Sequence, residues 1–207
     1  MDTYDNPFSK IALTLTATQV AKNMITKAEG VGEDLSFNFF AWRGDIPILC
    51  VQLESKYMKE PHEKRFYRCK DLIDILRFKV NVTSLTFICE GYVAPIPQQK
   101  ELSIAFIEPY SGVKECLTVI HCEENSYGPA DMYLFSMPYS YGLGKHVIWG
   151  NLMEFSQNAI DTIKNYKYPM MMRNAFSHKI DKNNTDPGVD DLVLGKIVDC
   201  GFLIQQF

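Results

Sequence analysis

The sequence predicts a single α+β domain over residues 1–207, with a mostly antiparallel sheet of about six to eight strands and two to three helices. Three observations carry this. Short runs rich in Phe, Tyr, Val and Ile recur along the chain, as half-buried pleated strands require. Turn-forming residues separate them at short intervals, which favours antiparallel neighbours. Apolar residues at helical spacing are confined to a few stretches, 17–28, 63–79 and 151–166.

In chain order, residues 17–28 place Ala17, Val20, Ala21, Met24, Ile25 and Ala28 on a helix, with Gly30 as a natural stop. The preceding KIALTLT (10–16) fits either a strand or the first turns of that helix, started by Asn6-Pro7 or Ser9. LSFNFFAW (35–42) and PILCVQLE (47–54) read as strands joined by a tight hairpin loop at Arg43-Gly44-Asp45-Ile46. Residues 63–79 put Phe66, Cys69, Ile73 and Leu76 on one helical face. VTSLTFICEGYVA (82–94) is a further strand, ended by Pro95-Ile96-Pro97.

A meander is then expected through LSIAFIE (102–108), CLTVIHC (116–122), MYLFSMPY (132–139) and HVIWG (146–150). A helix is expected from Asn151, as N-cap, to Tyr166, stopped by Pro169. Residues 177–191 are loop-like, and LGKIVDCGFLIQQF (194–207) reads as a closing strand. A strand at 10–16 would give the N-terminal half the ferredoxin-like order βαββαβ; a helix there gives αββαβ with a four-strand extension.

Composition and charge narrow the function classes. The net charge of −4 and pI of about 5.6 supply no global basic footprint for nucleic acid. MDTYDNPFSK carries acids where a secretory signal has basic residues, and no run approaches 18 apolar residues. A cytoplasmic protein without membrane contact is therefore expected. The six cysteines form no CxxC pair and sit mostly in apolar runs, as reduced, buried thiols would. No motif calls for a cofactor.

The most provocative stretch is GDIPILCVQLESK (44–56), which has the outline of the D…ExK nuclease pattern. That chemistry needs both acids on one divalent cation. With the turn at Gly44-Asp45, Asp45 and Glu54 fall at opposite ends of one strand, roughly 30 Å apart. A hydrolase or nuclease would instead have to combine Glu54, Lys56 and Glu90. Glu90 stands in an otherwise apolar strand. It is expected to face solvent with Thr86, or else to act as a site acid with Glu54 or His121.

FICEGYV resembles a strand of uncharacterised bacterial and phage proteins, written F-V-x-E-[AG]-[WY]. The match lies at Phe87, Glu90, Gly91 and Tyr92, within a likeness spanning residues 35–107. The resemblance implies an architecture and no activity.

Three other motifs fail on spacing. In HCEE (121–124) only His121 and Glu123 share a strand face, so no metal site is expected there, and His121 reads as a strand-end histidine. GLGKH (142–146) has Tyr139 where a phosphate loop needs its first glycine, and His146 where it needs Ser or Thr. DKNNTDPGVDD (181–191) lacks the glycine and glutamate of a calcium-binding EF-hand loop.

The run KYMKEPHEKRFYRCK (56–70) interleaves cations with aromatics, and Lys64, Arg65 and Arg68 are its candidate nucleic-acid contacts. The first expectation is nonetheless a non-catalytic binding or assembly module, a homo-oligomer whose open sheet edges are paired. A metal-dependent hydrolase using Glu54, Lys56 and Glu90 is the alternative, and nucleic-acid binding through residues 56–70 a second one, not favoured.

Overall fold

A computed structural model describes residues 7–29, 35–93, 114–143, 146–155, 167–178 and 189–207. The ambiguous KIALTLT is helical: Pro7 opens α1 (Pro7–Glu29), a helix of 23 residues. Proline suits a first helical position, because its missing N–H would have had no intrahelical partner. The ferredoxin-like order needed a strand here and does not apply.

The hairpin β1 (Asn38–Arg43) and β2 (Ile46–Leu53) turns at Gly44-Asp45, where Gly44 takes a φ of +56° that disfavours other residues. A short α2 (Ser55–Met58) leads into α3 (His62–Phe78), and β3 (Ser84–Val93) follows. Next come β4 (Lys114–Glu123), β5 (Asp131–Tyr141), β6 (Val147–Trp149) and β7 (Met153–Glu154). The chain continues with α4 (Lys167–Ser177), α5 (Asp191–Asp199) and β8 (Phe202–Gln206).

The sheet has eight strands in the order β6-β5-β4-β3-β1-β2-β8, with β7 also on β5. Every described pairing is antiparallel. The α+β class holds, with five helices among the described residues where two to three were expected.

Three expectations are corrected. The helix expected from Asn151 does not start there. Gly150 donates to Pro138 O at 2.7 Å and Phe155 to Leu134 O at 3.0 Å, so 153–154 join the sheet as β7. Pro169 falls inside a helix, in the first turn of α4, where its missing N–H costs little; residues 156–166, the body of the expected helix, lie outside the described residues. The expected strand at 194–207 is half helix. Asp190 caps α5 by accepting from Val193 N at 2.8 Å, and only Phe202–Gln206 are extended. The strand expected at 102–108, Gly144-Lys145 of the glycine-rich turn and residues 181–188 of the acidic loop lie outside the described residues.

Each face of the sheet carries its own core. On one, Phe39, Val51, Leu85, Phe87 and Ile120 pack under Leu72, Ile73 and Leu76 of α3, Met172 and Phe176 of α4, and Ile197 of α5. Fully buried Arg77 ties α3 to its neighbours, donating to Val82 O (2.8 Å), Ala175 O (3.3 Å), His178 O (2.8 Å) and Glu124 (2.9 Å). On the other face α1 crosses β3, β4 and β5, with Ile11 and Leu15 against Ile88, Leu117, Val119 and Phe135.

The inward side of α1 is unusual because it is also polar. Lys10, Thr14, Thr18 and Lys22, spaced by four, are all buried. Thr14 and Thr18 satisfy their hydroxyls locally, on Lys10 O at 2.6 Å and Thr14 O at 2.9 Å. The two lysines reach carboxylates at opposite ends: Lys10 meets Glu123 at 3.2 Å, and Lys22 meets Glu90. Twelve helical residues rise about 18 Å, and the six residues of strand between the levels of Glu90 and Glu123 span about 20 Å. The lengths match, so one helix fastens at both ends.

Candidate functional site

β3 outruns β1. Their pairing ends at Asn38↔Ile88, while β3 continues beside β4 to Val93. Glu90 and Gly91 therefore lie at a rim where groups from both sheet faces converge on a cavity of about 180 Å³, lined by Leu35, Phe37, Met58, Arg65, Glu90, Gly91, Glu115 and Tyr139. Gly91 is needed for close strand packing, since a Cβ there would stand 2.9 Å from Thr118 Oγ1.

Glu90 does not face solvent. Strand alternation turns it toward α1, where it accepts from Tyr139 Oη (2.5 Å) and Leu35 N (2.5 Å) and pairs with Lys22. Lys22 also donates to Tyr139 Oη at 2.9 Å and stands 4.1 Å from the centre of its ring. Burial, then the nearby Glu115 carboxylate, pushes the Tyr139 phenol well above its ordinary pKa. Tyr139 is therefore a neutral donor, and Lys22 supplies the charge that makes burying Glu90 tolerable.

Glu54 ends β2. Its carboxylate pairs with Lys56 at 2.8 Å, and its N–H donates to Gly201 O at 3.0 Å. The hydrogen bond to Glu54 raises the pKa of the Lys56 amine. The register Gln52↔Asn38↔Ile88 sets Glu54 and Glu90 at one level with a strand between them, a backbone separation of about 10 Å. Each carboxylate has its own cation, Lys56 for Glu54 and Lys22 for Glu90. Among the described residues, no three His, Cys, Asp or Glu side chains gather as metal ligands. Asp45 lies in the β1–β2 turn, at the far end of β2 from Glu54.

The basic run divides three ways. Arg68 grips Glu60 with two hydrogen bonds (2.8 and 3.0 Å), donates to Cys200 O at 3.0 Å and lies 3.9 Å from the centre of the Tyr57 ring. It fastens α3 to the turn before β8, and the bond to Glu60 raises its pKa. Arg65 turns inward over Phe37, 5.5 Å from the ring centre. Lys64 is exposed. The three candidate nucleic-acid contacts thus point to three different surroundings rather than to one surface.

His121 is no strand-end residue; it is fully buried beneath α1. Trp42 Nε1 donates to Thr86 Oγ1 at 3.3 Å, Thr86 Oγ1 lies 2.8 Å from His121 Nδ1, and His121 Nε2 faces Glu123 Oε2 at 3.7 Å. A lone pair aimed at a carboxylate would be repelled, so Nε2 carries the proton and Nδ1 accepts from Thr86. Burial lowers the His121 pKa, outweighing Glu123. His121 and then Lys10 lower that of Glu123.

Sequence reasoning singled out Glu90 and missed its partners Lys22 and Tyr139. The signal for Lys22 was present in the polar spacing Lys10, Thr14, Thr18, Lys22 along a helix; nothing local marked Tyr139. No protein-family model, curated protein or solved structure matches this chain.

Proposed function

We propose that the protein is a non-catalytic assembly module whose copies join through β8. One observation carries the reading: β8 ends the sheet with an edge that no strand among the described residues covers. The strand and its next residue read FLIQQF, with no charge, no proline and no glycine. Leu203 and Phe207 are 56% and 65% exposed. Natural edge strands usually carry lysine, proline or a bulge against pairing with another chain.

The ladder fixes which backbone groups face outward. Glu54 N donates to Gly201 O and Phe207 N to Ile48 O, so residues 203, 205 and 207 turn their N–H and C=O toward β2. Phe202, Ile204 and Gln206 turn theirs to the free edge, and among the described residues no strand takes them. Two copies related by a two-fold axis at Ile204 would pair these groups reciprocally, Phe202 with Gln206 of the second copy, and extend one sheet into the other.

The hydrolase alternative loses support from the same geometry. Glu90 pairs with Lys22 and Glu54 with Lys56, so each carboxylate already has a cation of the chain beside it. Nucleic-acid binding loses support because Arg68 is spent on Glu60.

Sedimentation velocity tests the assembly reading. Wild-type protein should gain mass with concentration, and should keep doing so as salt rises, because the seam is uncharged. Ile204→Pro removes an outward N–H without touching the β2 ladder and should leave a folded monomer, whereas Ile204→Val should still assemble. A wild-type protein that stays monomeric at every concentration refutes the proposal.

A further inference from the structure

Arg65 and Glu115 are charges of opposite sign on the walls of one cavity, and the described residues cancel neither. Lys22 and Glu90 neutralise each other across the same rim. Arg65 takes part in none of the ion pairs among the described residues, and its Nε is buried without a hydrogen-bond partner. Buried guanidinium nitrogens are costly to leave unmade.

Glu115 is in a related position. The β4–β5 register, running through Cys116↔Pro138, sets it opposite Tyr139. The Tyr139 hydroxyl lies within reach of both the Glu90 and Glu115 carboxylates, and a neutral hydroxyl with one proton leaves the charge of Glu115 unbalanced. Glu115 is solvent-exposed. Arg65 and Glu115 both line the cavity and form no ion pair with each other.

The geometry points to a small zwitterion as the ligand of this cavity: an amino-acid-like molecule whose carboxylate is taken by Arg65 and whose ammonium is taken by Glu115. A guanidinium suits a carboxylate through its fork of donors. The Phe37 ring, already beneath the guanidinium, and Leu35 and Met58 supply an apolar wall for a short aliphatic skeleton. The volume is below the roughly 300–1,000 Å³ of sites for drug-sized ligands, which restricts the occupant to a few heavy atoms. The inference stands apart from assembly through β8, since none of these residues lies on that strand.

Calorimetric titration of the full chain tests it with glycine, γ-aminobutyrate, 5-aminovalerate and leucine as probes. Valerate supplies a carboxylate alone and pentylamine an ammonium alone. At least one zwitterion should bind saturably and more tightly than either single-charge analogue. Glu115→Gln and Arg65→Gln should each weaken it by about ten-fold or more. Should Arg65→Gln fail to fold, the exposed Glu115→Gln decides. No saturable binding by any of the four zwitterions overturns the inference. So does binding of valerate or pentylamine as tight as the best zwitterion, or unchanged affinity in Glu115→Gln.

Discussion

Lys22 is 2% exposed, and its ammonium has the Glu90 carboxylate and the Tyr139 hydroxyl as partners. Removing the acid alone strands a cation under α1, so Glu90→Gln should cost about 3 kcal/mol of stability in denaturant unfolding. Lys22→Met should cost a similar amount for the mirror-image reason. The double variant should cost clearly less than the two losses added, because neither charge is then left unpaired. Additive losses would show that the pair does not act as a unit.

His121 gives the pH dependence its sign. Burial lowers its pKa below the ordinary 6.5, so under mild acid the unfolded chain binds a proton that the folded chain refuses. Stability therefore falls as pH drops through the ordinary histidine range near 6.5. Glu123, its pKa lowered by His121 and Lys10, adds a second loss only below the carboxylate range near 4.5. His121→Asn should flatten the first window and leave the second, as thermal melts across pH would read out. A wild-type profile that is flat from neutral to mildly acidic pH contradicts the assignment.

At the scale of elements, what was legible and what was not follows from where the deciding forces lie. The β1–β2 hairpin was readable because Gly44 and the flanking apolar runs decide it locally. α3 was readable because its buried residues, Cys69, Leu72, Ile73 and Leu76, keep strict helical spacing. β7 was not readable: Met153 and Glu154 have helix-compatible neighbours, and only the backbone of β5, distant in sequence, makes them extended. α5 was misread because Leu194, Ile197 and Val198 suit a strand as well as a helix.

The overlooked cue was Asp190. It stands just before Asp191 and Leu192 and accepts from Val193 N, a helix start visible in the letters. Asp190→Ala should destabilise the protein by about 1 kcal/mol, and Asp190→Ser should restore most of it. Equal losses in both variants, measured by denaturant midpoint, would deny the cap its role. The rim site was half legible for the same reason. An acid in an apolar strand is visible in one dimension, but its partners on α1 and β5 are assembled only by the fold.

At the scale of the molecule, the described residues place α3, α4 and α5 on one face of the sheet and α1 on the other. The outer side of α1 leaves Leu13, Val20 and Met24 exposed, and the β8 margin leaves Leu203 and Phe207 exposed. β8 adds to apolar exposure a row of unpaired backbone groups, which only another strand can satisfy in full. On the assembly reading proposed above, that is the edge at which the sheet would grow.

Amide hydrogen exchange at low and high protein concentration tests this most directly, residue by residue. Phe202, Ile204 and Gln206 should exchange freely when dilute and become protected when concentrated, while Leu203, Gln205 and Phe207, bonded to β2, change little. Outward amides that exchange equally fast at both concentrations would contradict assembly through β8.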